Sequence, residues 1–130
     1  MTINQLLGSR DALVRLTEKH FNSYKVARGL VLLRQAVEAE LKVFLELEQN
    51  SIKELSAKDE KGKPIFLADG RLQLRDEEAK ELFEKRMIDA RETEVDSIKP
   101  ITLREEDFAS PEDFPTPNDM LLLEPLVTFE

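Results

Sequence analysis

The chain has 130 residues, of which 41% are hydrophobic and 35% are charged, which is enough for one modest core and too little for two independent ones. Its 19 basic and 27 acidic side chains leave a formal net charge of −8, unlike proteins that grip phosphate backbones through a basic surface. It has no cysteine and one histidine, His20, which excludes disulfides, thiolate or histidine-rich metal sites and cysteine nucleophiles. We expect a single domain over residues 1–130.

The N-terminus lacks the basic and apolar regions of a signal peptide. No stretch approaches the roughly 18 uninterrupted apolar residues of a membrane-spanning helix. We therefore expect a soluble, cytoplasmic protein that does not contact a membrane.

The excess negative charge lies almost entirely in the last quarter of the chain. Residues 1–55 have a net charge of +1 and residues 56–99 of −2, whereas residues 100–130 reach −7 with Arg104 as their one basic side chain. The same quarter holds five of the six prolines, which predicts an extended arm broken by short helical turns. Its apolar residues need burial, so we do not expect a disordered tail.

Two helices are predicted in the first part of the chain. Thr2 is a suitable N-cap for a helix over about residues 3–18, where apolar residues recur at helical spacing. A second helix is predicted over about residues 23–55, with Asn22 or Ser23 as its N-cap.

The predicted second helix would run close to 50 Å at about 1.5 Å per residue, which is longer than a small core is wide. Its stretch 41–47 is apolar on more than one face. Two explanations stay open: the helix packs between two elements of its own chain, or part of it binds a partner or another copy.

A β-hairpin and a third helix are predicted next. Asp69 and Gly70 lie between the short apolar runs 65–67 and 72–74, which is typical of a tight hairpin. Asp76 is the expected N-cap of a helix over about residues 77–91. Two further stretches, residues 94–98 and 126–129, are candidate strands that would extend this hairpin into a small sheet.

Two short helical turns are predicted in the C-terminal arm. Thr102 and Glu105 have capping-box spacing and predict one or two turns that end near Phe108. Thr116 followed by Pro117 predicts another start, leading into residues 120–123.

These elements predict a mainly α fold with a small β element, an α+β chain. Within the single domain we expect an antiparallel helical hairpin over residues 1–56, a β-hairpin and third helix over 57–99, and an acidic, proline-rich extended arm over 100–130.

No motif assembles an active site. The four glycines do not form a phosphate-binding loop, and no serine has the setting of a nucleophile with a nearby base. Carboxylates are plentiful, but a magnesium site or a two-carboxylate hydrolase needs them to converge in a cleft, and the predicted fold offers little concave surface. We expect no enzymatic activity, no metal and no cofactor.

Several stretches, taken in chain order, carry a resemblance. They are the opening residues 2–7, the helical spacing of Leu33, Val37, Leu41 and Phe44, the interruption 59–65, Glu94-Val95, Pro100-Ile101 and the ending 119–127. In this pattern the chain resembles small acidic proteins encoded by tailed bacteriophages and prophages. The resemblance implies a phage or prophage origin and a helical hairpin with a short β element. The resemblance implies no catalytic residues.

The expected function is that of a non-enzymatic phage interaction protein, a structural component or small chaperone of virion assembly. In this view the acidic arm docks on a basic groove, where charge steers the encounter and apolar anchors supply affinity. The candidate partner-contact residues are Glu105, Glu106, Phe108, Phe114 and Asp119, with Met120 and Phe129 as further apolar anchors.

The alternative function is a phage-encoded inhibitor of a host nucleic-acid-handling or defence protein, because spaced carboxylates can occupy a groove built for phosphates. In either case the partner is another protein, from the phage or from the host, and we expect no direct nucleic acid binding. The long helix offers a surface for a homo-oligomer. The expected location is the host cytoplasm or the virion.

Overall fold

The computed structural model describes residues 1–130 as a mainly helical chain with one small sheet. The helices are α1 (Ile3–Thr17), α2 (Tyr24–Leu55), α3 (Glu77–Arg91) and α4 (Pro117–Leu122). The strands are β1 (Ile101–Leu103) and β2 (Val127–Phe129), and two 3-10 turns cover Glu105–Asp107 and Pro111–Asp113. The predicted class, mainly α with a small β element, is confirmed.

The chain divides into two compact units. The first consists of Met1–Leu41 together with Glu94–Glu130, and the second of Lys42–Thr93. These boundaries differ from the predicted subdivisions at residues 56 and 99, because α2 contributes its first part to one unit and its last part to the other.

Three helices begin where their capping residues predict. The hydroxyl of Thr2 accepts the Gln5 N–H at 3.2 Å, and the Gln5 side chain accepts the Thr2 N–H at 2.8 Å, which is a complete capping box. The carboxylate of Asp76 accepts the Ala79 N–H at 2.7 Å at the start of α3. Thr116 caps α4, with Pro117 at its first position.

The second helix also follows its prediction. Ser23 is the capping residue, since its hydroxyl accepts the Val26 N–H at 3.2 Å. The predicted apolar stripe faces inward, and its buried members are Leu30, Leu33, Val37, Leu41, Phe44 and Leu55. Within the stretch 41–47, three apolar residues outside the stripe are exposed: Val43, Leu45 and Leu47. The sequence left two explanations open for this stretch. The structure does not support the first, because the chain's own elements leave these side chains uncovered.

The sheet differs from the expected one. β1 and β2 pair in parallel, with Ile101 opposite Val127 and Leu103 opposite Phe129. The candidate strand 126–129 is therefore present as β2, but its partner β1 lies where a capping box at Thr102 was predicted. Ile101 and Leu103 turn inward while Thr102 stays exposed, and this alternation favours a strand over a helical start. The 3-10 turn begins two residues later than predicted.

The apolar runs 65–67 and 72–74 are not strands of this sheet. They meet in one isolated antiparallel bridge between Phe66 and Leu72, beside a turn in which Gly70 has a positive φ of 87°. Phe66 is 58% exposed, so the pair lacks the buried face that stabilises a longer ladder. Residues 94–98 likewise form no strand, and Glu94 makes one bridge with Thr2.

The C-terminal quarter is folded into the first unit. Its buried apolar side chains are Leu103, Phe108, Leu123, Leu126 and Val127. The short helical turns and the burial expected in this quarter are present, and its buried side chains complete a core that α1 and the first part of α2 share.

Candidate protein-interaction site

The loop between α1 and α2 fixes the first turn of the C-terminal quarter. The side-chain amide of Asn22 donates to the carbonyl oxygens of Glu106 at 2.8 Å and Phe108 at 2.9 Å. The backbone N–H of Asn22 donates to the carbonyl of Asp107 at 2.9 Å. Three successive carbonyl groups thus have partners from one residue, which holds this turn in a single conformation.

Three phenylalanines lie in a row next to this loop. The ring centroids of Phe21 and Phe108 are 5.2 Å apart, and those of Phe108 and Phe114 are 5.3 Å apart in an edge-on arrangement. Both spacings fall in the favourable range for aromatic pairs. Phe108, in the middle of the row, is buried, whereas Phe21 is half-buried and Phe114 is 37% exposed.

The second 3-10 turn is tied to the same loop through Asp113. Its carboxylate accepts the backbone N–H of His20 at 3.1 Å and the hydroxyl of Ser110 at 3.2 Å, and lies 3.2 Å from His20 Nδ1. The hydrogen bond from the His20 backbone, helped by those from its ring and from Ser110, lowers the pKa of Asp113. Asp113 is therefore a structural carboxylate that stays ionised.

Helix α4 is anchored on α1 by a paired charge. The guanidinium of Arg15 donates to both carboxylate oxygens of Asp119, at 2.7 and 3.0 Å. These hydrogen bonds, reinforced by the positive charge of Arg15, lower the pKa of Asp119. The Ser9 hydroxyl donates to the carbonyl of Leu122 at 2.6 Å. Both contacts join α1 to α4 and set the position of the residues that follow.

These anchors leave a concave apolar surface open, which we call the C-terminal groove. Its deeper part encloses about 390 Å³, near the lower end of ligand-sized pockets. The apolar lining of that part is Leu103, Phe108, Phe114, Pro115, Met120 and Phe129. A shallower part shares Met120 and Phe129 and adds Pro117, Leu121 and Val127. The shared residues make the two parts one elongated surface.

The rim of the groove is acidic. Its charged residues are Arg104, Glu105, Glu124 and Glu130. Arg104 is engaged by Glu130 at 3.2 Å and lies 3.8 Å from Glu106. Glu105 and Glu124 have no ion-pair partner. The apolar floor is therefore bordered by carboxylates whose charge is not neutralised within the chain.

The structure separates the five predicted contact residues into two groups. Glu105, Glu106 and Phe114 are exposed at or beside the groove, so their assignment to partner contact stays a prediction. Phe108 is 5% exposed and Asp119 is 7% exposed, and both have partners inside the chain. Phe108 forms part of the groove floor and Asp119 holds α4, and their assignment to partner contact likewise stays a prediction.

Sequence reasoning named the aromatic and methionine anchors but missed Leu103 in the floor and the Arg104–Glu130 pair at the rim. The pairing of β1 with β2 brings these residues together. The sequence shows apolar residues in alternation at Ile101 and Leu103 and again at Val127 and Phe129, but each stretch is too short for that alternation to predict a strand.

Comparison of the chain with protein-family models, with curated proteins and with solved structures finds no match. The structure contains no group of three or more histidine, cysteine or acidic side chains placed to hold a metal ion. None of its helices combines the length and the apolar character needed to cross a membrane.

Proposed function

We propose that the protein is a non-enzymatic interaction protein that binds a protein partner in the C-terminal groove, as a structural component or small chaperone of phage virion assembly. The observation that carries the proposal is the open apolar floor with its acidic rim. The phage context comes from the resemblance of the sequence to small acidic proteins of tailed phages. In this proposal the protein works in the host cytoplasm or in the virion.

Two features of the groove support protein binding. Phe114 and Met120 are each 37% exposed and flank a deeper floor, an arrangement that suits the insertion of a partner's apolar side chain. The uncompensated carboxylates at the rim attract a positively charged partner and increase its rate of association.

Two finer details of the fold belong to the same proposal. An antiparallel packing of α1 with the first part of α2 is supported by Arg10 bonded to Glu38 and Arg34 bonded to Thr17. A hairpin over residues 65–74 is supported by the Phe66–Leu72 bridge.

The test uses point substitutions in the full chain, since removal of the C-terminal quarter would also remove buried core residues. Tagged natural protein, Phe114→Ser and Glu105→Lys are used as baits in lysate of phage-infected cells, at low and high salt. Tyr24→Ser is the matched control, because Tyr24 is 81% exposed and does not line the groove. Circular dichroism checks that each variant is folded.

The proposal predicts that mass spectrometry identifies a virion structural protein bound to the natural chain and to Tyr24→Ser. Both groove variants should lose it, Glu105→Lys most clearly at low salt, where charge attraction is least screened. Equal recovery by all four baits would overturn the assignment to the groove.

The alternative, an inhibitor of a host nucleic-acid-handling or defence protein, is favoured by the exposed carboxylates of Glu105, Glu106 and Glu124. It predicts recovery of such a host protein, displaced by added DNA or RNA and lost at high salt. A partner that is unaffected by nucleic acid contradicts this alternative.

A further inference from the structure

The second unit contains two adjacent exposed apolar residues, Phe66 and Leu67, on a well-defined turn. Phe66 is 58% exposed and Leu67 is 43% exposed. The chain around them is fixed by hydrogen bonds: the Leu67 N–H donates to the Arg71 carbonyl at 2.7 Å, and the Gln73 N–H donates to the Ile65 carbonyl at 2.9 Å. Two adjacent large apolar side chains held outward in this way indicate a contact surface.

Two lysines, Lys61 and Lys63, lie shortly before Phe66 and Leu67 in the chain. Lys61 and Lys63 lie on a turn in which Gly62 has a positive φ of 77°, and the Asp59 carboxylate accepts both of their backbone N–H groups at 2.9 and 3.0 Å. Neither ammonium group forms an ion pair within the chain. Residues 61–67, which we call the basic tip, contain two lysines and two exposed apolar side chains, and the acidic residues Glu60 and Asp69 lie just outside them.

The basic tip and the C-terminal groove are complementary. The tip offers Phe66 next to positive charge, and the groove offers an aromatic floor next to Glu105 and Glu124. Both surfaces are open to solvent. The proposed groove would select an apolar anchor that is preceded by lysines, and this chain itself carries such a segment.

We infer that the basic tip of one copy docks in the C-terminal groove of a second copy, with Phe66 inserted against the aromatic floor and Lys61 and Lys63 near the acidic rim. This inference rests on the proposed function, because it assigns an occupant to the same groove. Each copy carries one tip and one groove, so the contact joins two different surfaces. Contacts of this kind build closed rings, of which a reciprocal pair is the smallest, or open filaments.

The test is a complementation experiment by sedimentation velocity on full-length protein. A tip variant, Phe66→Ser, keeps its groove, and a groove variant, Phe114→Ser, keeps its tip. At about 0.05 M salt, where surface charges are weakly screened, the natural chain should form species larger than a monomer as its concentration rises. Each variant alone should be monomeric, its association weakened at least about thirtyfold by loss of a central aromatic contact.

The decisive sample is the equimolar mixture of the two variants. One intact tip and one intact groove remain, so the mixture should form a one-to-one dimer that cannot grow further. Folding of each variant is checked by circular dichroism, and Tyr24→Ser should associate like the natural chain.

Charge variants give a second test at two positions, Lys63 and Glu105, whose side chains form no ion pair in the fold. Lys63→Glu and Glu105→Lys should each associate more weakly than the natural chain. The double variant should recover part of the lost association, because the two charges are exchanged. At about 0.5 M salt the natural chain should associate more weakly. The charge variants and the natural chain should then associate to nearly the same extent.

A natural chain that stays monomeric at all concentrations, or a mixture that stays monomeric, overturns the inference. Association that persists in both single variants also overturns it and would place self-association on another surface, such as the exposed face of α2 at Val43 and Leu47. The outcome is separable from that of the proposed function, because loss of a virion protein by Phe114→Ser would support the groove even if the natural chain is monomeric.

Discussion

The two units of the chain differ most in how much apolar surface they bury. Sixteen of the twenty buried apolar side chains belong to the first unit, and four belong to the second: Phe44, Leu55, Ala79 and Met87. The second unit instead exposes several large apolar residues, which include Val43, Leu47, Phe66 and Ile88. The first unit therefore has a core of its own, whereas the second has a thin core and apolar residues left for contacts.

The ion pair with the least exposed carboxylate lies in the first unit, which also has more exposed pairs such as Arg10–Glu38. In the first unit Arg15 is paired with a carboxylate, Asp119, whose side chain is 11% exposed. In the second unit Arg86 is paired with Glu54, whose side chain is 57% exposed. Since exposed pairs contribute little to stability, we expect loss of the Arg15–Asp119 pair to matter more than loss of the Arg86–Glu54 pair.

The largest expected effect is that of Leu126→Ala, because Leu126 is fully buried in the first unit. The substitution should lower the free energy of unfolding by about 2 to 5 kcal/mol, measured by urea denaturation. Leu82→Ala in the second unit is the matched control, since Leu82 is 38% exposed on α3, and it should cost less than about 1 kcal/mol. Equal effects of the two substitutions would break the comparison between the units.

A smaller effect is expected from Asp119→Asn. The change removes the ionic hydrogen bonds that join α4 to α1 and should cost about 1 to 2 kcal/mol, again by urea denaturation. Glu54→Gln removes the exposed pair of the second unit and should lower stability less than Asp119→Asn does. If Glu54→Gln proves the more destabilising of the two, the polar part of the comparison is wrong.

The effect of Asp119→Asn should also depend on pH. Because Arg15 lowers the folded-state pKa of Asp119, the pair adds stability above the unfolded pKa of about 3.9 and loses it as the pH falls through the lower folded value. The stability difference between the natural chain and Asp119→Asn should therefore be constant near neutral pH and shrink below about pH 4. A difference that persists or grows in acid would show that Asp119 does not act as a paired anion.

The smallest expected effect is that of Asp76→Ala at the start of α3. Loss of the hydrogen bond to the Ala79 N–H should cost about 1 kcal/mol. If the second unit is the less stable one, amide hydrogen exchange in α3 should rise while exchange in α1 is unchanged. A parallel rise in both helices would indicate that the units unfold together.

The sequence predicts the helices well because their signals are local. Thr2, Asp76 and Thr116 each satisfy N–H groups within three residues of themselves, and the apolar stripe of α2 repeats over many turns. The parallel pairing of β1 with β2 could not be predicted in the same way. It joins three-residue strands that are far apart in the chain, and three residues are too few to establish an alternating pattern.

The candidate site was predictable in composition but not in arrangement. Phe114 and Met120 stand out as apolar residues in an acidic stretch. Their convergence depends on contacts between distant residues, such as Asn22 with Phe108 and Arg15 with Asp119. A proline-rich, acidic stretch predicts an extended arm on local grounds, and these long-range contacts are what fold it into the core.

The most direct test of this account is amide hydrogen exchange of the natural chain, followed by mass spectrometry. Its central claim is that the C-terminal quarter is part of the first unit's core and thereby shapes the groove. The account predicts that amides of β1, α4 and β2 are protected to a degree comparable with α1, and that residues 58–75 exchange faster. Exchange of residues 101–129 at the rate of an unstructured chain would contradict it, because no stable groove could then exist.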